Sequence, residues 1–384
     1  MRRLESYVVA GGRQMRCGYT TGTCAAAAAR AAAELLLGGE RVPAVSVSTP
    51  AGQDVLVDVE ASEAGPTWAT CAVRKDAGDD PDVTDGVLVY ARVERCDEPG
   101  VHIDGGEGVG RVTRAGLDQP PGCAAINSVP RAMIEREATE AARSHAYGGG
   151  LAIEVSIPQG VALAQRTFNP RLGIEGGISV LGTEGIVRPM SERALVETIR
   201  LELGVLRQEG VRDVLVVPGN YGRAFARDAL GMCVDSCVSC SNYVGETIDE
   251  AVRLGFGSLL LVGHLGKLAK VAGGVMNTHS RIADCRMEVL AAHAALAGAS
   301  AQTIARVMDA ATTDAAVDEL AGSGLLEPAM DSLMERLHGH LRTRAAGELC
   351  IEAVVFSQAR GVLGTTKGAD ALLQRHVCRK GERE

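Results

Sequence analysis

Aromatic side chains are scarce: one Trp, six Tyr and four Phe make up 3% of 384 residues. With so few rings the core has to be built from Ala, Val, Leu and Ile, and the stacking platforms that bind single-stranded nucleic acid have little material. Positive charge is also in deficit. Lys and Arg number 39 against 48 Asp and Glu, a formal net charge of −9. That argues against nucleic acid or an anionic membrane as partner, so any polyanionic ligand must meet local cations. No apolar run reaches the roughly 20 residues of a membrane span. The longest, Cys24 to Leu37, is mostly Ala and is broken by Arg30 and Glu34. A secretory core is missing too, because Met1-Arg2-Arg3 is followed by Glu5 and an apolar patch of only Val8, Val9 and Ala10. Nor is there a disulfide framework. Eleven cysteines, an odd number scattered from Cys17 to Cys378, fit reduced and mostly buried thiols, hence a cytoplasmic protein.

What is present reads as an ordinary globular chain, with 46% apolar and 23% charged residues and length for two to three domains at about 150 residues each. Gly22-Thr23-Cys24 leads into AAAAARAAAELLL, which predicts a helix ending at Gly38-Gly39. Segments 45–50, 54–60, 67–73 and 86–93 then alternate or run β-branched between Gly, Pro and Asp turns. A helix over about 128–144 and a strand over about 151–157 complete a region of α+β type with a mainly antiparallel sheet. From Ser191 the pattern changes to a helix reaching about Gln208, then buried strands in VRDVLVVPGN, VSCSN and SLLLVGH with helices between. A helical stretch over about 280–345 and a last strand at 349–357 follow. These features predict an α+β domain over 1–180 and a three-layer α/β domain, Rossmann-like with a parallel sheet, over 181–384. VLGTEG at 180–185 echoes VLGTTKG at 362–368, which we read as coincidence rather than a repeat.

Several motifs invite a chemical reading. Thr20, Thr21 and Thr23 precede the first helix, where one hydroxyl suffices for a cap and the free amides form an anion site. The loop 75–86 holds Asp76, Asp79, Asp80, Asp82 and Asp85, either a solvated turn or an oxygen-ligand cation site, though not in EF-hand order. Asp104, Gly106, Gly108 and Gly110 match D-x-G-x-G-x-G but lack the helix that should follow, leaving a glycine-rich loop that can touch a ligand. The most specific signal lies further on. Three successive strands deliver Gly219, Asn220, Tyr221 and Gly222, then Ser241 and Asn242, then Gly263, His264, Gly266 and Lys267 to one sheet edge. Cys233, Cys237 and Cys240 have the C-x₃-C-x₂-C spacing of a three-thiolate iron–sulfur cluster, in a strand context that disfavours one. His279, Asp284 and Glu288 fall at a predicted helix start, with Asp284 and Glu288 four apart on one face, either as part of a cap with surface salt pairs or, with His264 nearby, as an acid–base set.

Taken together the chain resembles the cobalt-precorrin-5B C(1)-methyltransferase family of anaerobic cobalamin biosynthesis. The resemblance rests on RCGYTTGTCAAAA from Arg16, KDAGDDPDVT from Lys75, IDGGEGVGRVT from Ile103, NPRLGIEGGISVLGTEGIVRPMSE from Asn169, VPGNYGR from Val217, SNYVGETIDEA from Ser241, GHLGKLAKVAGGVMNTHSRIADCRME from Gly263 and GVLGTTKGA from Gly361. It implies methyl transfer from S-adenosylmethionine to C-1 of a cobalt-containing tetrapyrrole, with no resident metal. It does not carry catalytic residues with it. From the residues themselves we expect His264, His279 and Asp284 at the chemistry, and the methyl donor on Gly219 to Gly222, Ser241, Asn242 and Gly263, with Asp104, Gly106 and Gly108 as further contacts. The substrate's carboxylates are expected on Thr20, Thr21, Thr23, Lys75, Arg171 and Lys267, with Arg16 beside them. An assembly of identical chains is compatible with the sequence. The competing readings are a non-catalytic tetrapyrrole- or metal-binding protein and a radical methylase.

Overall fold

The structure is a computed structural model that describes residues 3–10, 12–167 and 169–377; Met1, Arg2 and Cys378 lie outside them. The chain divides into two units, Met1–Glu192 and Arg193–Glu384. Among the described residues no helix is long and apolar enough to cross a membrane.

In the first unit the alanine run forms the helix Thr21–Gly38, closed by Gly39 in the left-handed region at φ 78° with its N–H on the Leu35 carbonyl. Small side chains let neighbours approach closely, and this helix is buried against Ser128–Ser144 and against the strands Trp68–Arg74 and Leu88–Cys96. Those strands belong to a five-stranded sheet ordered Ala61–Ala64, Trp68–Arg74, Leu88–Cys96, Gly150–Ser156, Val101–Gly105. All its pairings are antiparallel except the last. Period-two patterning explains the face that is buried, since Val89, Ala91 and Val93 point inward while the residues between them do not. Ile186–Val187 pairs with Gly18–Tyr19. The chain therefore stays with the first unit well past residue 180, and the division falls at Glu192. The sequence patterns also gave no sign of the N-terminal hairpin Tyr7–Ala10 with Arg13–Arg16.

In the second unit the sheet runs Cys237–Ser239, Asp213–Val217, Ser258–His264, Cys350–Ser357, Gly361–Thr365. The first four strands are mutually parallel. Gly361–Thr365 returns antiparallel with a register shift at Val355/Phe356. Each central strand is apolar on both sides. Val214, Val216, Leu259 and Leu261 pack with Leu203, Ile248, Leu268 and Leu337. Leu215, Val217, Leu260 and Val262 pack with Ala226 and Leu372 on the other face. This is the near-continuous hydrophobicity of a parallel sheet covered twice. In chain order the strands read 2-1-3-4-5, so the winding reverses between Asp213–Val217 and Ser258–His264. The stretch after 280 comprises Arg286–Leu296, Ala301–Met308, Thr313–Gly322 and Leu326–Arg344. VLGTEG and VLGTTKG do different jobs: the former binds the first helix's N-terminus, the latter supplies the antiparallel edge strand.

Candidate functional site

Where winding reverses in an open parallel sheet, the loops beyond the two adjacent strand ends diverge and leave a crevice. Here it is a cleft of about 700 Å³ whose lining includes Gly219, Tyr221, Gly222, Asn242, His264 and Lys267 from the three strand-end loops. Lys270, Thr278, His279, Ser280, Arg286, Thr312, Thr313 and Asp314 line the remainder. Gly219 lies at φ 132°, ψ −174°, backbone that favours glycine, and turns the chain from its strand into the helix Asn220–Asp228. No side chain caps that helix, and a Cβ at Gly219 would meet only open space. Tyr221 is 71% exposed at the rim.

Lys267 ties the loops together. Its Nζ donates to the Pro218 carbonyl at 2.6 Å and to the Ser241 carbonyl at 3.0 Å, which leaves one ammonium proton uncommitted to these carbonyls. Burial lowers its pKa from the ordinary lysine value. Ser241 itself sits in the left-handed region at φ 50°. Asn242 accepts from the Thr278 hydroxyl at 3.1 Å and its carbonyl accepts the Thr278 N–H at 2.9 Å, so the next segment is pinned to this loop. Lys270, almost fully buried, donates to the Thr278 carbonyl at 3.2 Å and the Ser280 hydroxyl at 3.3 Å.

His264 caps the helix Leu265–Ala272: its Nδ1 accepts the Gly266 N–H at 3.0 Å. Its ring meets Phe356 edge to face, with centroids 5.5 Å apart. With Nδ1 occupied as an acceptor, the ring proton is assigned to Nε2, which makes His264 a fixed donor rather than a ready base. His279 also spends Nδ1, on the Arg281 N–H at 3.1 Å. Asp284 and His279 precede the helix Arg286–Leu296 instead of starting it, so Asp284 and Glu288 do not form the helical pair the sequence suggested. Asp284 grips Arg286 with bonds of 2.6 and 2.9 Å, and that hydrogen-bonded guanidinium holds its carboxyl below the usual range. It positions Arg286, which lines the cleft. Asn220, Ser241 and Gly263 stand in the three loops without lining the cleft. Sequence reasoning missed Lys270, Arg286 and Asp314. Lys270 lies one turn beyond Lys267 and was in view, whereas Asp314 reads as an ordinary helix-start residue after Thr312-Thr313.

The first unit corrects several expectations. Thr20 accepts the Thr23 N–H at 3.2 Å, Thr21 both donates to the Leu181 carbonyl at 3.2 Å and accepts its N–H at 3.0 Å, and Thr23 donates to the Gly185 carbonyl at 2.7 Å. All three are buried: the Thr21 and Thr23 hydroxyls lock segment 181–185 onto the helix and that of Thr20 caps the helix itself, so the expected substrate contacts are spent within the unit. Lys75 is likewise internal, 2% exposed and paired with Asp82 at 2.5 Å. Arg171 is exposed, and its carbonyl accepts from Arg114 at 3.3 Å. The acidic loop is an internal staple. Asp76 takes Arg16 in two bonds of 2.6 and 2.7 Å, Asp79 accepts the Arg16 N–H, Asp80 that of Met190 and Asp85 that of Ala77.

Asp104 is paired with Arg111 in two 2.8 Å bonds. Side chains at Gly106 and Gly108 would collide with Glu154 and Ser156 and with the Ile157 carbonyl, so these glycines allow close passage of the unit's own chain and are not a donor cradle. Burial pushes the Cys240 thiol up to about 12, and Cys237 lies within its strand. Among the described residues no group of three or more His, Cys, Asp or Glu side chains is placed to hold a metal ion.

Residues 8–189 match the CbiD family and residues 277–367 the CbiD C-terminal domain. Curated relatives named cobalt-precorrin-5B C(1)-methyltransferase include one from Ruminiclostridium cellulolyticum, 48% identical and covering 92% of each chain. Others are from Alkaliphilus metalliredigens, 42% identical over 97% of each, and Salmonella typhimurium, 43% identical over 96% of this chain and 97% of that one. A crystal structure of cobalamin biosynthesis protein from Archaeoglobus fulgidus is 31% identical and covers 72% of this chain and 86% of that one, with a TM-score of 0.39. With identity of this level along nearly its whole length, the chain belongs to the CbiD family.

Proposed function

We propose that the protein is a methyltransferase that moves a methyl group from S-adenosylmethionine to C-1 of cobalt-precorrin-5B, the activity named for relatives that match over nine-tenths of its length. The observation that carries the location of the chemistry is the cleft at the winding reversal. Its volume of about 700 Å³ is that of a small-molecule pocket. The residues present fit such a donor: open space over Gly219 admits a nucleoside, and the Lys270 ammonium and Arg286 guanidinium suit the carboxylate of an amino-acid arm. When bound, the donor supplies an electrophilic methyl group on a sulfonium.

The chain's contribution is then positioning and exclusion of water. Transfer of a methyl group in line needs the two reactants held in register more than it needs an activated side chain. Lys267 fixes the first two loops relative to each other through its two carbonyl bonds, and Asp284 fixes Arg286. Neither His264 nor His279 has an uncommitted Nδ1 with which to accept a proton. We place the protein in the cytoplasm, a reading supported by its match to relatives named as methyltransferases of a biosynthetic intermediate.

Calorimetric titration with S-adenosylhomocysteine, followed by assay of methyl incorporation into the cobalt tetrapyrrole, tests the proposal. Saturable binding and stoichiometric transfer are expected. A folded protein that binds the tetrapyrrole but neither S-adenosylhomocysteine nor the methyl donor would overturn it.

A further inference from the structure

Asp314 occupies the first turn of the helix Thr313–Gly322 and lines the cleft opposite the end of the strand Ser258–His264. One of its carboxylate oxygens, Oδ1, is buried without any hydrogen-bond partner. The other, Oδ2, stands 3.8 Å from His264 Nε2, too far for a hydrogen bond between them. A carboxylate so poorly satisfied at the edge of a cleft has room for a donor from outside the protein, first at Oδ2, the oxygen next to His264. His264 constrains what that donor is. With Nδ1 committed to the Gly266 N–H, its Nε2 presents a proton to the same space, fixed in direction by the cap and by the ring of Phe356. A group that fits both must donate to Asp314 and accept from His264.

A hydroxyl does both; an ammonium has nothing to accept with, and a sulfonium has no proton to donate. One hydroxyl oxygen can lie within hydrogen-bond reach of both atoms across a 3.8 Å gap. The other carboxylate oxygen, Oδ1, is buried, and an adjacent hydroxyl reaches it only once the side chain turns about its Cβ–Cγ bond and brings that oxygen to the cleft. We propose that Asp314 and His264 form a recognition site for a vicinal diol, the ribose of the methyl donor. This rests on the reading that the cleft holds that donor. Asp314 is then a binding residue and His264 its complementary donor, and the diol is what sets the nucleoside's rotation in the cleft.

The test is calorimetry with S-adenosylhomocysteine and its 2′-deoxy and 3′-deoxy analogues on wild type, Asp314→Asn and Asp314→Ala, with thermal melts alongside and a crystal structure of the wild-type complex. Wild type is expected to bind the parent compound about 10- to 100-fold more tightly than at least one deoxy analogue, as befits a lost hydrogen bond to a charged group. Asp314→Ala should weaken the parent by a similar factor and erase the difference between parent and analogue. Asp314→Asn, which keeps shape and one acceptor, should fall between. Lowered melting temperature with unaltered affinities would make Asp314 a helix-terminus charge only and overturn the proposal. The complex separates the two levels: a ligand in the cleft with its diol beyond reach of Asp314 defeats the diol site alone, and a ligand outside the cleft defeats the donor site with it.

Discussion

The two units handle polar side chains in opposite ways. In the first, the unusual motifs are saturated from within: Thr21 and Thr23 bond segment 181–185, Thr20 caps the helix, Lys75 is closed on Asp82 and Arg16 on Asp76. In the second, comparable groups converge with capacity to spare, a Lys267 ammonium proton beyond its two carbonyl bonds, an Nε2–H on His264 and an unpartnered oxygen on Asp314. A motif rich in hydroxyls and charges is therefore not a site by virtue of its composition. What distinguishes the site is polar capacity left unspent next to space.

Substitutions can break this contrast. Lys75→Met should have the largest effect, a loss of about 3 kcal/mol of stability, because it strands a carboxylate whose partner is buried. Chemical denaturation measures it, and affinity for S-adenosylhomocysteine in the folded fraction should not move. The same pair gives the first unit an acid limb. Burial works against the Asp82 carboxylate, but the Lys75 charge and the Thr84 bonds outweigh it and hold its pKa below the ordinary value. Arg16 does the same for Asp76, again against burial. Both pKa values are depressed on folding, so their stabilisation is complete above about pH 4 and is lost as the pH falls further. Melts from pH 6 to pH 3 should show the drop in wild type and a shallower one in Lys75→Met; equal slopes would refute the assignment.

Thr21→Val should cost about 1–3 kcal/mol, since it leaves the backbone N–H of Leu181 short of a partner, while the Leu181 carbonyl keeps the Gly22 N–H. Substrate affinity should be unchanged. Weaker tetrapyrrole binding at an unchanged melting temperature would return this loop to the active site and dissolve the contrast. In the second unit Lys267→Met should act the other way round, lowering affinity for S-adenosylhomocysteine about tenfold through loosened loops while melting shifts little. The smallest effect belongs to Cys233→Ser and Cys237→Ser, each about 1 kcal/mol or less in stability with methylation within a few-fold of wild type. Inactivation together with loss of bound iron would contradict that.

Much of the local structure was legible from residue patterns. The helix expected over about 128–144 is Ser128–Ser144, and the run after Thr23 does end in a left-handed glycine at Gly39. These are local signals, carried by propensity and caps. The three loops at the sheet edge were legible for a related reason, since strand-end glycines and polar residues follow buried strands directly in sequence. The far wall of the cleft was not. Arg286 and Asp314 arrive from segments whose own sequence reads as ordinary helix starts, and only the packing of those helices brings them to the strand ends. Gly361–Thr365 escaped because its strand character comes from pairing with Cys350–Ser357, which a glycine-bearing segment does not announce. The threonine loop misled because hydroxyl count was taken as surplus, when residues 160 or more positions away absorb it.

That long-range absorption also bears on how the chain is made. Gly18–Tyr19 pairs with Ile186–Val187, and the cap at Thr20 to Thr23 is completed by Leu181 and Gly185. The first helix can form early in synthesis, but its N-terminal seal is a closure between the two ends of the unit. A nascent chain that has not yet released residue 187 from the ribosome holds an alanine-rich helix with an open end, and the strand Gly18–Tyr19 waits with an unpaired edge. The strand pair that seals the first unit thus joins an early-made strand to its latest-made one, so the unit cannot close until synthesis has passed residue 187.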